Sequence, residues 1–262
     1  MSVFRKDMLQ GRVALITGGA TGIGQQITRL LAEHGASVFI CSRKHQSLQA
    51  AQQQFAGEGI DCGIAVCDIR EPAQVEAMLD DVLAQHGRLD IVINNAAGNF
   101  PAPIDGISYN GFKTIVDIDL LGTYNVTKAA FDKYLKTNGG NIVNISAPFQ
   151  HGGAAYQAHV AAAKSGVDSL TRSCAVEFGE YGIRVNAVAP GATAETEGMD
   201  RFTDGVEGLV VANPLGFVGS KADIANAVLF FVSDAARYVT GQLIAVDGGA
   251  AVDLLKIGKI AQ

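Results

Sequence analysis

RVALITGGATGIG, residues 12 to 24, runs from an apolar segment through a turn of closely spaced glycines into a helical pattern. The apolar run reads as a strand, and Gly24 opens a segment of helical periodicity that extends to Glu33. Glycines at 18, 22 and 24 let the chain turn tightly and let a ligand approach the main chain closely. The first N–H groups of a helix have no partner within it, and the helix dipole favours negative charge there. The turn Gly18, Thr21, Gly22, Ile23 and Gly24 is therefore a candidate cradle for a pyrophosphate. A strand, a glycine turn and a helix in this order open a dinucleotide-binding α/β fold.

The same alternation continues outward. With residues 12–17, the runs at 37–41, 64–68, 89–94, 141–146, 183–188 and 242–246 read as seven strands. Most are apolar at consecutive positions, as strands covered on both faces are. Helical periodicity fills 24–33, 47–55, 72–85, 111–135, 156–178 and 222–233. This pattern predicts a single α/β domain over residues 1–262, a Rossmann-like, doubly wound sheet of seven parallel strands with helices on both faces. Ligands gather at the carboxyl ends of such strands. The irregular stretch 191–219, rich in Gly, Thr and Glu, is expected to be a lid over the substrate.

Composition narrows the partners. The chain has 262 residues, 48% hydrophobic and 18% charged, which suits one large core. A net charge of −6 with scattered Lys and Arg gives no basic stripe, so no nucleic-acid partner is expected. No apolar stretch is long enough to span a bilayer, the N-terminus has no apolar signal core, and KIAQ at the C-terminus is not an SKL-like address. Cys41, Cys62, Cys67 and Cys174 lack metal-ligand spacing and read as reduced, mostly buried thiols, with no metal site. Together these features lead to the expectation of a cytoplasmic protein without a membrane partner.

The end of the second strand decides the cofactor. A carboxylate there would accept from a ribose diol and repel a 2′-phosphate, whereas an arginine pairs with the phosphate. The sequence is Cys41-Ser42-Arg43-Lys44, so NADPH is expected, with Arg43 on its phosphate.

The spacing Thr17-Gly18-xxx-Gly22-Ile23-Gly24 resembles the short-chain dehydrogenase/reductase family. So do Asp68, Asn94-Asn95-Ala96-Ala97-Gly98, Ser146, Lys164, Pro190-Gly191 and Asp247-Gly248-Gly249 in this order. The resemblance covers roughly residues 10 to 250. It implies that Asp68 meets the adenine edge and that Asn95 and Gly98 line the nicotinamide side. It further implies that Pro190, Gly191 and Thr193 touch the cofactor and that Lys164 holds the nicotinamide ribose.

The family's usual ketone reductases place a proton-donating tyrosine four residues before the lysine, and here that residue is Val160. Tyr156 lies eight residues before Lys164, about 12 Å along a helix axis, twice the usual separation. His159, five residues before, would point about 140° away in a regular helix. Asp119 stands where family members usually carry Asn, three residues before Gly122. A carboxylate in an apolar helix near Lys164 needs a partner or water, so the two form a candidate catalytic pair that holds a water. A purely structural ion pair is the alternative. Ser146, at the end of the fifth strand, is a candidate substrate ligand.

Loss of the phenol removes the proton donor for ketone reduction and leaves hydride delivery intact. A conjugated dienoyl thioester suits such a site, because the charge left by hydride addition spreads onto the thioester oxygen. The strings Asn95-Ala96-Ala97-Gly98-Asn99-Phe100, Asp117-Ile118-Asp119, Gly139-Gly140, His159 and Thr196-Glu197-Gly198 narrow the resemblance to 2,4-dienoyl-CoA reductases of the peroxisomal type. That family implies Asp119 and Lys164 as catalytic residues, a fatty acyl-CoA substrate, and a homotetramer joined through the helices at 111–135 and 156–178. It also implies CoA contacts from Arg70 and Arg201, with Phe100 and Ser108 beside the acyl chain and thioester. Two alternatives stay open: a 3-oxoacyl or other ketone reductase, and an NADPH-binding scaffold or sensor without catalysis.

Overall fold

The computed structural model describes residues 4–149, 152–203 and 213–253, apart from the side chains of 201–203. The strands are β1 (Val13–Thr17), β2 (Ser37–Ser42), β3 (Cys62–Val66), β4 (Ile91–Asn94), β5 (Gly140–Ile145), β6 (Ile183–Pro190) and β7 (Leu243–Val246). They form one sheet in the order β3-β2-β1-β4-β5-β6-β7, with every pairing parallel. Chain order reverses between β1 and β4, and a crevice at that switch point is where such sheets take ligands.

Consecutive apolar positions follow from two buried faces. β1 sends Ala14 and Ile16 to one core and Val13 and Leu15 to the other. The first core is completed by α1 (Gly22–Glu33), α2 (His45–Gly57) and α9 (Lys221–Val232). The second takes α3 (Pro72–His86), α5 (Gly122–Ala130) and α7 (Ala158–Phe178). Each fully buried Leu, Ile or Phe in these layers contributes about 1.5–3 kcal/mol through removal of apolar surface from water. All four cysteines are free and buried within the fold. Among the described residues no helix is long and apolar enough to cross a membrane.

The structure departs from the sequence reading at three places. β3 is an edge strand whose bounds follow its register with β2, Val38↔Cys62 to Ser42↔Val66, so Cys67 and Asp68 lie beyond it. The predicted helix 111–135 consists of α4 (Tyr109–Val116), a π-turn over Asp117–Leu121, α5, a second π-turn over Phe131–Leu135, and α6 (Lys136–Asn138). α7 starts at Ala158, because Tyr156 takes a left-handed backbone (φ 62) that no α-helix admits. Within the expected lid, α8 (Glu197–Thr203) is helical; residues 204–212 and the side chain of Arg201 lie outside the described residues.

Candidate active site

The turn after β1 is shaped for a ligand. Gly18 (φ 64) and Gly22 (φ 56) take left-handed backbone, and a Cβ on Gly22 would meet nothing within 4 Å. A Cβ on Gly24 would stand 2.3 Å from the Gly18 carbonyl oxygen and 2.4 Å from Asn95 Nδ2, so the start of α1 is pressed against the turn. Thr21 gives α1 no side-chain cap, and Ile23 and its neighbours in the first turn bring no acidic residue. Free N–H groups and the positive dipole end therefore face open space, which fits a pyrophosphate.

Asn95 braces this turn. Its Nδ2 donates to the carbonyls of Thr17 at 3.0 Å and Gly18 at 3.2 Å, while its backbone N–H and that of Ala96 donate to Thr17 Oγ1. Through this amide nitrogen Asn95 ties β4 to the glycine turn. Below it, Asn94 Nδ2 donates to Asn144 Oδ1 and Thr127 Oγ1, locking β4 to β5 and α5. Pro190 ends β6, and the Gly191 N–H donates to the Val246 carbonyl. A Cβ on Gly191 would stand 2.6 Å from the Asp247 Cα, which restricts this position to glycine. Thr193 is buried and donates to the Gly191 carbonyl at 3.0 Å.

At the end of β2, Arg43 is exposed and no carboxylate follows the strand. Asp68 does not stand free: Arg70 Nε and Nη2 donate to its two carboxylate oxygens at 2.9 and 2.5 Å. Arg70 holds the Asp68 carboxyl below its ordinary value, and Arg43 adds to the effect. The residue expected on the adenine and the one expected on CoA are thus paired with each other.

The reactive centre is built by the long helix and α7. Asp119 sits in the first π-turn, where the extra residue per turn rotates the side chains that follow it; such turns are frequent at functional sites. It is 1% exposed, and its Oδ1 accepts the Gly98 N–H at 2.7 Å. Its Oδ2 stands 3.5 Å from Lys164 Nζ and has no hydrogen bond of its own. Lys164, 6% exposed, donates to the Ile145 carbonyl at the end of β5 at 2.8 Å. Burial pushes the Asp119 carboxyl above the ordinary aspartate value, against the pull of Lys164 and of the Gly98 N–H. A separation of 3.5 Å is an ion-pair distance that leaves both groups with hydrogen-bonding capacity for a water.

Val160 fills the place of the absent phenol with apolar surface, packing with Ile115, Ala163, Phe100 and Phe149. Tyr156 is 56% exposed and precedes the helix, and its carbonyl accepts the Ala102 N–H. His159 departs from expectation. It is fully buried, its ring centroid lies 4.3 Å from that of Phe100, and Asp119 acts on it electrostatically. α7 is buried against both the sheet and the long helix, so a residue turned 140° from Lys164 is still interior.

Ser146 is committed elsewhere than expected. Its hydroxyl donates to Asp168 Oδ1 at 2.5 Å, so its single proton is not offered to an open site. Asp168 was missed in the sequence, although it lies four residues after Lys164 and so on the same helix face. Its carboxyl is raised by burial, opposed by the Ser146 hydroxyl, Arg172 and Lys164. Ser108 Oγ caps α4 by accepting the Gly111 N–H.

Comparison with known proteins adds a second line. The sequence family described as enoyl-(acyl carrier protein) reductase matches residues 18–251. A peroxisomal 2,4-dienoyl-CoA reductase of Danio rerio, (3E)-enoyl-CoA-producing, is 43% identical over 252 residues, covering 95% of this chain and 84% of its own. The protein of the same description in Arabidopsis thaliana is 41% identical over 260 residues, covering 95% and 87%. Among solved structures, a gluconate 5-dehydrogenase of Burkholderia cenocepacia in complex with NADP and tartrate superposes with a TM-score of 0.88 at 33% identity, covering 94% and 98%. Both sequence relatives are named peroxisomal, which overturns the expectation of a cytoplasmic location. Composition and apolar patterning report on an aqueous phase in general and do not distinguish one such compartment from another.

Proposed function

The chain belongs to the short-chain dehydrogenase/reductase family and stands among its 2,4-dienoyl-CoA reductases, and on that premise we propose that it reduces 2,4-dienoyl-CoA thioesters to 3-enoyl-CoA with NADPH, in the β-oxidation of unsaturated fatty acids. The observation that carries this reading is the buried Asp119 at 3.5 Å from Lys164, beside an apolar Val160 where a phenol donor would stand. When bound, the nicotinamide cofactor supplies a hydride. Asp119 and Lys164 hold a water at the reacting face and pass its proton to substrate carbon. The apolar cluster of Val160, Phe100 and Phe149 excludes further water. Charge left on a dienoyl thioester spreads to its oxygen, so no group at position 160 has to protonate an alkoxide.

The cradle of Gly18, Thr21, Gly22, Ile23 and Gly24 takes the pyrophosphate, with Lys164 and the segment from Pro190 to Thr193 at the nicotinamide end. Arg43 selects the 2′-phosphate. Replacing Arg43 by Asp is expected to weaken NADPH binding about 10–100-fold and NADH binding far less, because a charge-assisted phosphate pair is lost and a repulsion added. Parallel calorimetric titrations with the two cofactors check this, and equal losses would reject Arg43 as the phosphate ligand.

Arg70, Arg201, Phe100 and Ser108 are the residues for the acyl-CoA, and CoA phosphates would draw Arg70 from Asp68. The described chain forms one domain, and its long helix and α7 expose Leu121, Tyr124 and Val176, which suits burial in a homotetramer. Light scattering on the purified protein reads that state directly. The decisive assay offers NADPH with either a 2,4-dienoyl-CoA or a 3-oxoacyl thioester. Turnover of the ketone alone would replace this reading with a ketone reductase, and tight cofactor binding without any turnover would replace it with a scaffold.

A further inference from the structure

His159 has no part in the reaction as derived so far, yet its burial is costly. The ring is 0% exposed, and neither nitrogen meets a protein partner in full hydrogen-bond geometry, the nearest polar group being the Phe100 backbone. Asp119 Oδ2, the carboxylate oxygen that faces Lys164, is likewise buried without a hydrogen bond. An unpaired buried polar atom costs about 1–3 kcal/mol, and such atoms in native proteins are as a rule satisfied by ordered water. Three of them occur around one reactive centre.

The loop after β4 brings these groups together. Gly98 N–H fixes Asp119 Oδ1, and two residues on, Phe100 lays its ring against the His159 ring at 4.3 Å. The charged group acting on the imidazole is Asp119 from the long helix; Lys164, on the same helix as His159, is the partner of that carboxylate. The β4 loop meets the ring through Phe100, backbone and side chain.

We propose that His159 is a positioning residue for dienoyl-CoA reduction: its imidazole, with Asp119 and Lys164, completes the hydrogen-bond set that orients the proton-delivering water. Two ligands fix a water on an arc, whereas a third fixes the direction in which its proton points. Neutral imidazole offers one N–H and one acceptor nitrogen, so it serves a water as either donor or acceptor. Burial lowers the pKa of His159 from its ordinary 6.5, with the Phe100 backbone and Asp119 opposing. A depressed pKa keeps the ring neutral at neutral pH. Falling pH charges it, which removes the acceptor and places a second cation beside Asp119, so this contribution to turnover is lost on the acid side.

The inference rests on dienoyl-CoA reduction, and the test separates the two. With NADPH and hexa-2,4-dienoyl-CoA, an inactive wild type would overturn the proposed function itself. Given an active wild type, His159→Phe keeps the ring packed on Phe100 and removes both nitrogens. Its kcat is expected to fall about tenfold to a hundredfold, with KM and NADPH affinity changed less than about twofold. His159→Gln, which restores a donor and an acceptor that do not titrate, is expected to recover most of kcat and to move the acid limb to lower pH, leaving only the limb of the buried Asp119 carboxyl. Full kcat in His159→Phe would overturn the proposal. Should that variant fold poorly, an unchanged acid limb in His159→Gln would overturn it equally.

Discussion

Asp119→Asn is expected to abolish dienoyl-CoA reduction, by about a thousandfold or more in kcat, while NADPH still binds. The substitution keeps shape and the acceptor for the Gly98 N–H, which holds Asp119 Oδ1 at 2.7 Å. It removes the charge opposite Lys164 and with it the field that orients a water and stabilises proton transfer. Loss of a positioned acid or base typically costs 10²–10⁴-fold, so about 4 kcal/mol of barrier is at stake here. The hydrogen bond and ion pair of the Asp119 carboxylate are made with Gly98 and Lys164 and not with the pyrophosphate cradle, so fluorescence titration with NADPH should give an affinity within a few-fold of wild type. Single-turnover kinetics read the chemical step. An Asn variant that keeps even a tenth of wild-type kcat would leave the buried pair a structural feature only.

Gly24→Ala should be the most damaging of the small substitutions to cofactor binding. The added Cβ would fall 2.3 Å from a backbone carbonyl and 2.4 Å from Asn95 Nδ2, and neither is the free end of a flexible chain. Asn95 is held by Thr17 and Gly18, so relief requires α1 to move off the turn whose N–H groups bind the anion. Overpacking of this kind costs about 1–3 kcal/mol. The same displacement should weaken NADPH binding by about two orders of magnitude, because anion contacts at a helix start depend on position to a fraction of an ångström. Gly57→Ala is the control: an added Cβ there meets nothing within 4 Å and φ is ordinary. Its melting temperature and NADPH affinity should stay at wild-type values or rise slightly. Equal behaviour of the two variants would show that the close approach at Gly24 is absorbed without consequence.

Much of the architecture was legible because burial on both faces leaves a plain trace. RVALIT and SVFIC are apolar at consecutive positions since β1 and β2 each feed two cores. The cradle was legible because left-handed backbone and close approach both demand glycine. Side-chain commitments were less so. Ser146 and Asp168 are hydrogen-bonded across a strand end and a helix, a pairing that no local pattern announces. Arg70 and Asp68 are two residues apart, and their pairing could have been read from spacing alone, but separate ligand roles obscured it. His159 reads as turned about 140° from Lys164, and that position is interior because α7 packs on both the sheet and the long helix.

The π-turn at Asp117–Leu121 holds one residue more than an ordinary helix needs between α4 and α5. Removing one residue there lets the segment close as ordinary helix while α4 and α5 keep their faces, so Ile115 stays in its cluster and Val126 and Ala130 stay in the second core. What such a deletion changes is the aim of the side chains inside the five positions, Asp119 among them. Deletion scanning should therefore find here a short interval where the fold survives the loss of a residue and turnover does not.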